Sequence, residues 1–190
     1  MLWEWKNNII LIGYMGCGKS TVGSSLAKQL DWEFLDTDAW IEEKEGVSIK
    51  EIFAIRGESY FRDLETACLQ ELLQEKEIRK EKNNEERFFE KKEGRILSVG
   101  GGLPVREENQ KLLRELGSVI YLKANANTIY ERIKEDVTRP LLQTPNPFQK
   151  IKDMLREREE KYQATAHRVI TVDKKSVLEL AEEIRRIVAV

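Results

Sequence analysis

Three clusters in this 190-residue chain carry side chains suited to phosphate chemistry. The first is Gly13-x-x-x-x-Gly18-Lys19-Ser20, inside the stretch GYMGCGKST. Its glycines permit backbone angles closed to other residues, so successive N–H groups can turn inward on one anion. A helix opening at Lys19 would aim its positive end at the same place. Lys19 would reach the outer phosphates of a nucleotide and the Ser20 hydroxyl would sit on Mg2+. Gly16, Cys17, Gly18 and Thr21 complete the candidate nucleotide contacts. The second cluster is Asp36-Thr37-Asp38. In extended chain, residues two apart share a face, so both carboxylates can point into one site. One can order Mg2+ through water, and the other can accept a proton from an attacking hydroxyl. The same Asp-Thr-Asp also has the form of a helix N-cap. The third set is Gly100-Gly101-Gly102, offering backbone N–H groups, with Arg62 and Arg158 as guanidinium groups for an anionic acceptor. Taken singly, a helical arginine is as readily an ordinary surface charge with i,i+4 partners.

Regular elements must bring these residues together. Ile9–Ile12 reads as a compact apolar strand, and residues 19–30 as a helix with Val22, Leu26, Ala27 and Leu30 on one face. WEFLD (32–36), RILSV (95–99), SVIYLKA (118–124) and HRVITVD (167–173) read as four further strands. SIKE (48–51) has the form of a capping box opening a helix towards Leu73, with Ile52, Tyr60, Phe61, Leu64, Cys68 and Leu72 facing inward. A second box, SVLE, opens a helix over 176–188 that buries Val177, Leu180, Ile184 and Ile187. Strands separated by helices imply βαβ units, hence a parallel sheet covered on both faces. In such sheets ligands bind at the carboxyl ends of the strands. Residues 75–93, dominated by charge, read as a solvated insertion, partly helical or disordered. Residues 138–149 hold three of the four prolines and read as a mobile loop without regular structure.

Composition bounds the function. A formal charge of -2 argues against a nucleic-acid binder driven by net charge. Two cysteines without a pairing pattern fit a reducing cytoplasm. No apolar run approaches the roughly 18 residues needed to span a bilayer, and MLWEWKNN does not form a signal peptide. The chain is too short for a GTPase switch with its guanine-reading elements, and it has no N-K-x-D motif. A small-molecule kinase needs only a phosphate loop, an acceptor pocket and a closing lid. Cys17 reads either as an inert filler of the loop or as a thiol activated by the helix terminus and shielded by nucleotide. His167 is the only histidine, so a histidine triad is excluded.

Together the motifs resemble the shikimate kinases. The resemblance spans nearly the whole chain: GYMGCGKST, FLDTDAWIEEKEGVSIKEIFAIRGESYFRDLE, GGGLP, RPLL and REREEKY. It implies a P-loop NTPase-type α/β/α fold like that of nucleoside monophosphate kinases, with strand order 2-3-1-4-5, in one domain over 1–190. Within it the acceptor region lies at about 36–66 and the lid at about 138–149. It implies transfer of the γ-phosphoryl group of ATP to the 3-hydroxyl of shikimate. Asp38 then corresponds to the acid that binds the ring hydroxyls and takes the proton, and Arg62 and Arg158 to the pair holding the carboxylate. Gly100, Gly101 and Gly102 lie along the acceptor, Asp36 is the outer-shell Mg2+ acid, Arg132 stacks on adenine, and Arg139 is the lid arginine. Partners are shikimate, ATP and Mg2+, with neither nucleic acid nor membrane, in a cytoplasmic monomer.

The chain departs from the family pattern at Glu160, where a proline is usual, at Val99 before the triple glycine, and in the charged insertion. Two alternatives stay open: another small P-loop kinase of the gluconate kinase type, and a non-catalytic kinase-like protein that binds nucleotide.

Overall fold

Ile9–Ile12 (β1), the apolar run before the glycine loop, is buried along its whole length. That burial puts it at the centre of a five-stranded parallel sheet of order β2-β3-β1-β4-β5, with β2 at Glu33–Asp36, β3 at Arg95–Ser98, β4 at Ser118–Lys123 and β5 at Arg168–Thr171. The structure, a computed structural model, describes residues 8–85, 94–135 and 144–188, with side chains omitted for 78–85. Register aligns Asp36 with Ser98 and Leu11 with both Ser98 and Ile120. The carboxyl ends of β1, β2 and β3 therefore open on one edge, and the loops that follow them carry the three clusters. The strand order is the one expected.

Helices α1 (Lys19–Leu30) and α7 (Val177–Val188) pack on each other, and α3 (Ile49–Glu85) packs on α4 (Glu107–Leu116). Helix α6 (Pro147–Thr165) meets α4, β4 and α5 (Ala126–Ile133), so the sheet is covered on both faces. Both capping boxes form: Ser48 N–H donates to Glu51 Oε2 at 2.8 Å, and Ser176 N–H to Glu179 Oε2 at 2.7 Å. Of the predicted inward face of α3, Ile52, Phe61, Cys68 and Leu72 are buried, while Tyr60 and Leu64 are partly buried against the same core. Among the described residues no helix is long and apolar enough to cross a membrane.

Two expectations change. The proline-rich stretch is not irregular throughout: Asn146 caps α6, its side chain accepting from Gln149 N–H, and Pro147 is the first helical residue. Prolines that break a helix interior are favoured at its first turn, where no N–H is needed, so this proline starts a helix. Residues 136–143, including Arg139 and the first half of the expected lid, lie outside the described residues. The helix from the first capping box runs past Leu73 to Glu85, into the charged stretch, and it is broken at Gly57, whose φ of 81° and ψ of 175° are not helical. The rest of the charged stretch, 86–93, also lies outside the described residues.

Candidate functional site

The phosphate loop joins β1 to α1 through left-handed glycines, Gly16 at φ 75° and Gly18 at φ 102°. Lys19, buried at the start of α1, folds back so that Nζ donates to the carbonyls of Gly13 at 2.9 Å and Tyr14 at 3.2 Å. Arg132 on α5 donates from Nη1 to the carbonyls of Gly16 at 3.2 Å and Cys17 at 3.0 Å. It thereby stands against the phosphate loop. Cys17 is fully buried, which fits the filler and leaves no open thiol. A cavity of about 490 Å³ is lined by Met15–Val22, Asp36, Asp38, Ser98–Gly101, Arg132, Lys175, Val177 and Leu180. It contains every expected phosphate-loop residue, Gly16 to Thr21, together with both aspartates.

Asp36 and Asp38 do converge, but not as neighbours in extended chain. Helix α2 (Thr37–Glu45) begins immediately after Asp36, and Asp36 caps it, Oδ1 accepting from Asp38 N–H at 3.0 Å. The cap wins because it satisfies an otherwise free helical N–H. The other oxygen, Oδ2, accepts from Ser20 Oγ at 2.7 Å, and Ser20 Oγ also lies 3.2 Å from Ser98 Oγ. Asp38 sits in the first helical turn with Oδ1 buried and without a hydrogen-bond partner. Burial holds its carboxyl above the usual carboxylate range, helped by the charge on Asp36 and opposed by Lys19.

The triple glycine ties acceptor residues to the loop. The Gly100 amide is not free for an anion, as the sequence suggested; it donates to the buried Thr37 Oγ1 at 3.1 Å. A Cβ on Gly100 would lie 2.7 Å from Glu65 Oε1 and 2.8 Å from Asp38 Oδ1, so two unpartnered carboxyl oxygens meet at one backbone carbon. A Cβ on Gly101 would lie 3.2 Å from the Gly13 carbonyl and 3.3 Å from Met15 N, and one on Gly102 would strike the Arg62 guanidinium. Only glycines allow so close an approach.

Arg62 is held by two acids: Nη1 donates to Glu65 Oε2 at 2.7 Å and Nη2 to Glu58 Oε1 at 2.9 Å. Burial pushes the Glu65 carboxyl up to about 7, with Arg62 pulling it down and Asp38 pushing it up. Arg158 reaches the same turn from α6, donating from Nη1 to the Gly101 carbonyl at 3.3 Å. Neither arginine lines the cavity; each borders it through the glycine turn. Glu160, the departure beside Arg158, is exposed. Sequence reasoning gave no role to Glu65, Thr37, Tyr162 or Lys175, although Thr37 lies within Asp36-Thr37-Asp38 and Glu65 and Tyr162 end the stretches GESYFRDLE and REREEKY; Lys175 alone of the four had no signal.

Known proteins match this arrangement. The shikimate kinase family model matches residues 15–80 and 78–189. A shikimate kinase of a Sulfurihydrogenibium species is 41% identical over 177 residues, covering 93% of this chain and 95% of its own. Among solved structures, the shikimate kinase of Acinetobacter baumannii in complex with shikimate superposes with TM-score 0.83 at 36% identity, covering 98% of this chain and 94% of that one. That of Aquifex aeolicus gives TM-score 0.73 at 33% identity, over 93% of each chain. A phosphate loop, a capped acidic pair and a triple-glycine wall, in a chain this similar throughout, leave one conclusion: the protein belongs to the shikimate kinase family.

Proposed function

We propose that the chain transfers the γ-phosphoryl group of ATP to the 3-hydroxyl of shikimate, giving shikimate 3-phosphate and ADP on the route to chorismate and the aromatic amino acids. One observation carries the reading. Gly101 packs on the phosphate loop while its neighbours touch Asp38 and Arg62, so the nucleotide and acceptor sites share one wall. Transfer between two bound molecules needs such adjacency above all, because positioning supplies most of the rate enhancement in phosphoryl transfer.

In this scheme Lys19 leaves its loop carbonyls for the nucleotide's outer phosphates. Asp38, with its unpartnered oxygen, accepts the ring hydroxyl and then its proton. Arg62 and Arg158 orient the acceptor's carboxylate, and Arg132 borders the base. Arg139 would neutralise the transferring group if the lid assignment holds. Mg2+ suits the hard oxygens of Ser20, Asp36 and Ser98, which lie within hydrogen-bond reach of Ser20 Oγ. Among the described residues no group of three or more His, Cys, Asp or Glu could hold a metal ion. Held by Ser20 and Asp36, the ion would supply positive charge that offsets the negative charge of the nucleotide.

We infer a monomer from the family resemblance, and two buried free thiols suit a reducing compartment. The deciding experiment is ADP release with ATP, Mg2+ and shikimate, run beside gluconate. Turnover with shikimate alone supports the reading; turnover with gluconate, or with neither, overturns it.

A further inference from the structure

The carbonyl of Gly101 accepts two hydrogen bonds from one helix. Tyr162 Oη donates at 2.6 Å and Arg158 Nη1 at 3.3 Å, the two residues standing one turn apart on α6. A carbonyl oxygen has two lone pairs, so both are engaged before any acceptor binds. The two donors differ in freedom. Tyr162 is fully buried, its ring 5.0 Å from that of Tyr121, whose hydroxyl donates to Glu159 Oε2 at 2.8 Å. Lys123 grips Glu159 from the other side at 2.6 Å. Arg158 is only partly buried, with its guanidinium 5.7 Å from the Tyr14 ring. The tyrosine is clamped, and the arginine can turn.

We propose that Tyr162 is a positioning residue of the acceptor site, keeping the Gly101 carbonyl hydrogen-bonded when Arg158 swings from it to the acceptor's carboxylate. The inference rests on the assignment of Arg158 to that carboxylate. Gly101 sits between the residues that touch Asp38 and Arg62 and lies against the phosphate loop, so a carbonyl there cannot turn to water without moving the wall of the site. Without the tyrosine hydroxyl, Arg158 could leave only by stripping a half-buried acceptor of its last partner, a penalty charged to acceptor binding alone.

Tyr162→Phe keeps the ring and removes the donor. It is expected to raise KM for shikimate about tenfold, the scale of one lost hydrogen bond, while KM for ATP and kcat change less than about twofold. Arg158→Met by itself lowers kcat/KM for shikimate, and adding Tyr162→Phe to it should lower that value no further, since no parked arginine then has to depart. A packing role would instead depress both substrates and persist in the double variant, and either result overturns the proposal. An unaltered shikimate KM in Tyr162→Phe overturns it too. A structure of the wild-type protein with shikimate gives a test free of substitution. Tyr162 Oη on Gly101 with Arg158 turned away supports the inference, and Arg158 still on Gly101 sinks it. Wild-type protein that fails to phosphorylate shikimate would remove the functional reading, a failure distinct from these.

Discussion

Asp38 is placed for its proposed work by what it lacks. Most buried carboxylates find donors, yet its Oδ1 has none, and its own amide is spent on Asp36. An acceptor hydroxyl would fill that vacancy, and Asp38→Asn would present a nearly isosteric group unable to take the proton. Turnover is expected to fall by roughly 10²–10⁴, with ATP affinity by calorimetry almost unchanged. Arg62 works by the opposite logic, fully engaged by Glu58 and Glu65 so that its planar fork is fixed in advance. A lysine cannot span both acids and a carboxylate together. Arg62→Lys should therefore raise KM for shikimate by about tenfold or more while KM for ATP holds, an outcome steady-state kinetics reads directly.

At the scale of elements, α3 has to serve two masters. It packs on both α2 and α4, and its residues after the break, Arg62 and Glu65, border the acceptor site. The break at Gly57 lets one helix follow both directions, with φ 81° and ψ 175° in a region open essentially to glycine alone. An added Cβ there meets nothing within 4 Å, so strain rather than collision governs substitution. Gly57→Ala should destabilise the fold by about 1–3 kcal/mol, measurable as a lower midpoint in urea unfolding. The break was illegible from sequence: a lone glycine in an amphipathic pattern is tolerated in a helix, and nothing local says whether it bends. The capping boxes and α1 were legible because their hydrogen bonds close within four residues. The start of α6 was misread for want of weighing Asn146 with Pro147 as a pair.

For the molecule as a whole, the acceptor site stores an electrostatic cost. Glu65 is buried within the protein and titrates near 7, well above its ordinary 4.5. The folded state thus binds this proton more tightly than the unfolded chain. The stability it contributes is complete below about pH 4.5 and lost as pH rises through 7. Wild-type protein should lose on the order of 2–3 kcal/mol from this group between pH 5 and 8, and Glu65→Gln should lose correspondingly less. Thermal melts of both proteins across that range check the difference; parallel curves would show that Glu65 is ionised throughout.

The chain alone determined the phosphate loop, the helix it opens and the five strands. These follow from spacing, periodicity and residue type over short reaches of sequence. Only the tertiary structure decided that Asp38 lies in a helix, that the Gly100 amide is spent on Thr37, and that Glu65 and Tyr162 join the site. Those facts depend on groups as much as 63 residues apart meeting in the fold, the Gly100 amide on Thr37 and Tyr162 on Gly101 among them. There hydrogen-bond partners are assigned by packing, and no local pattern of residues records the outcome.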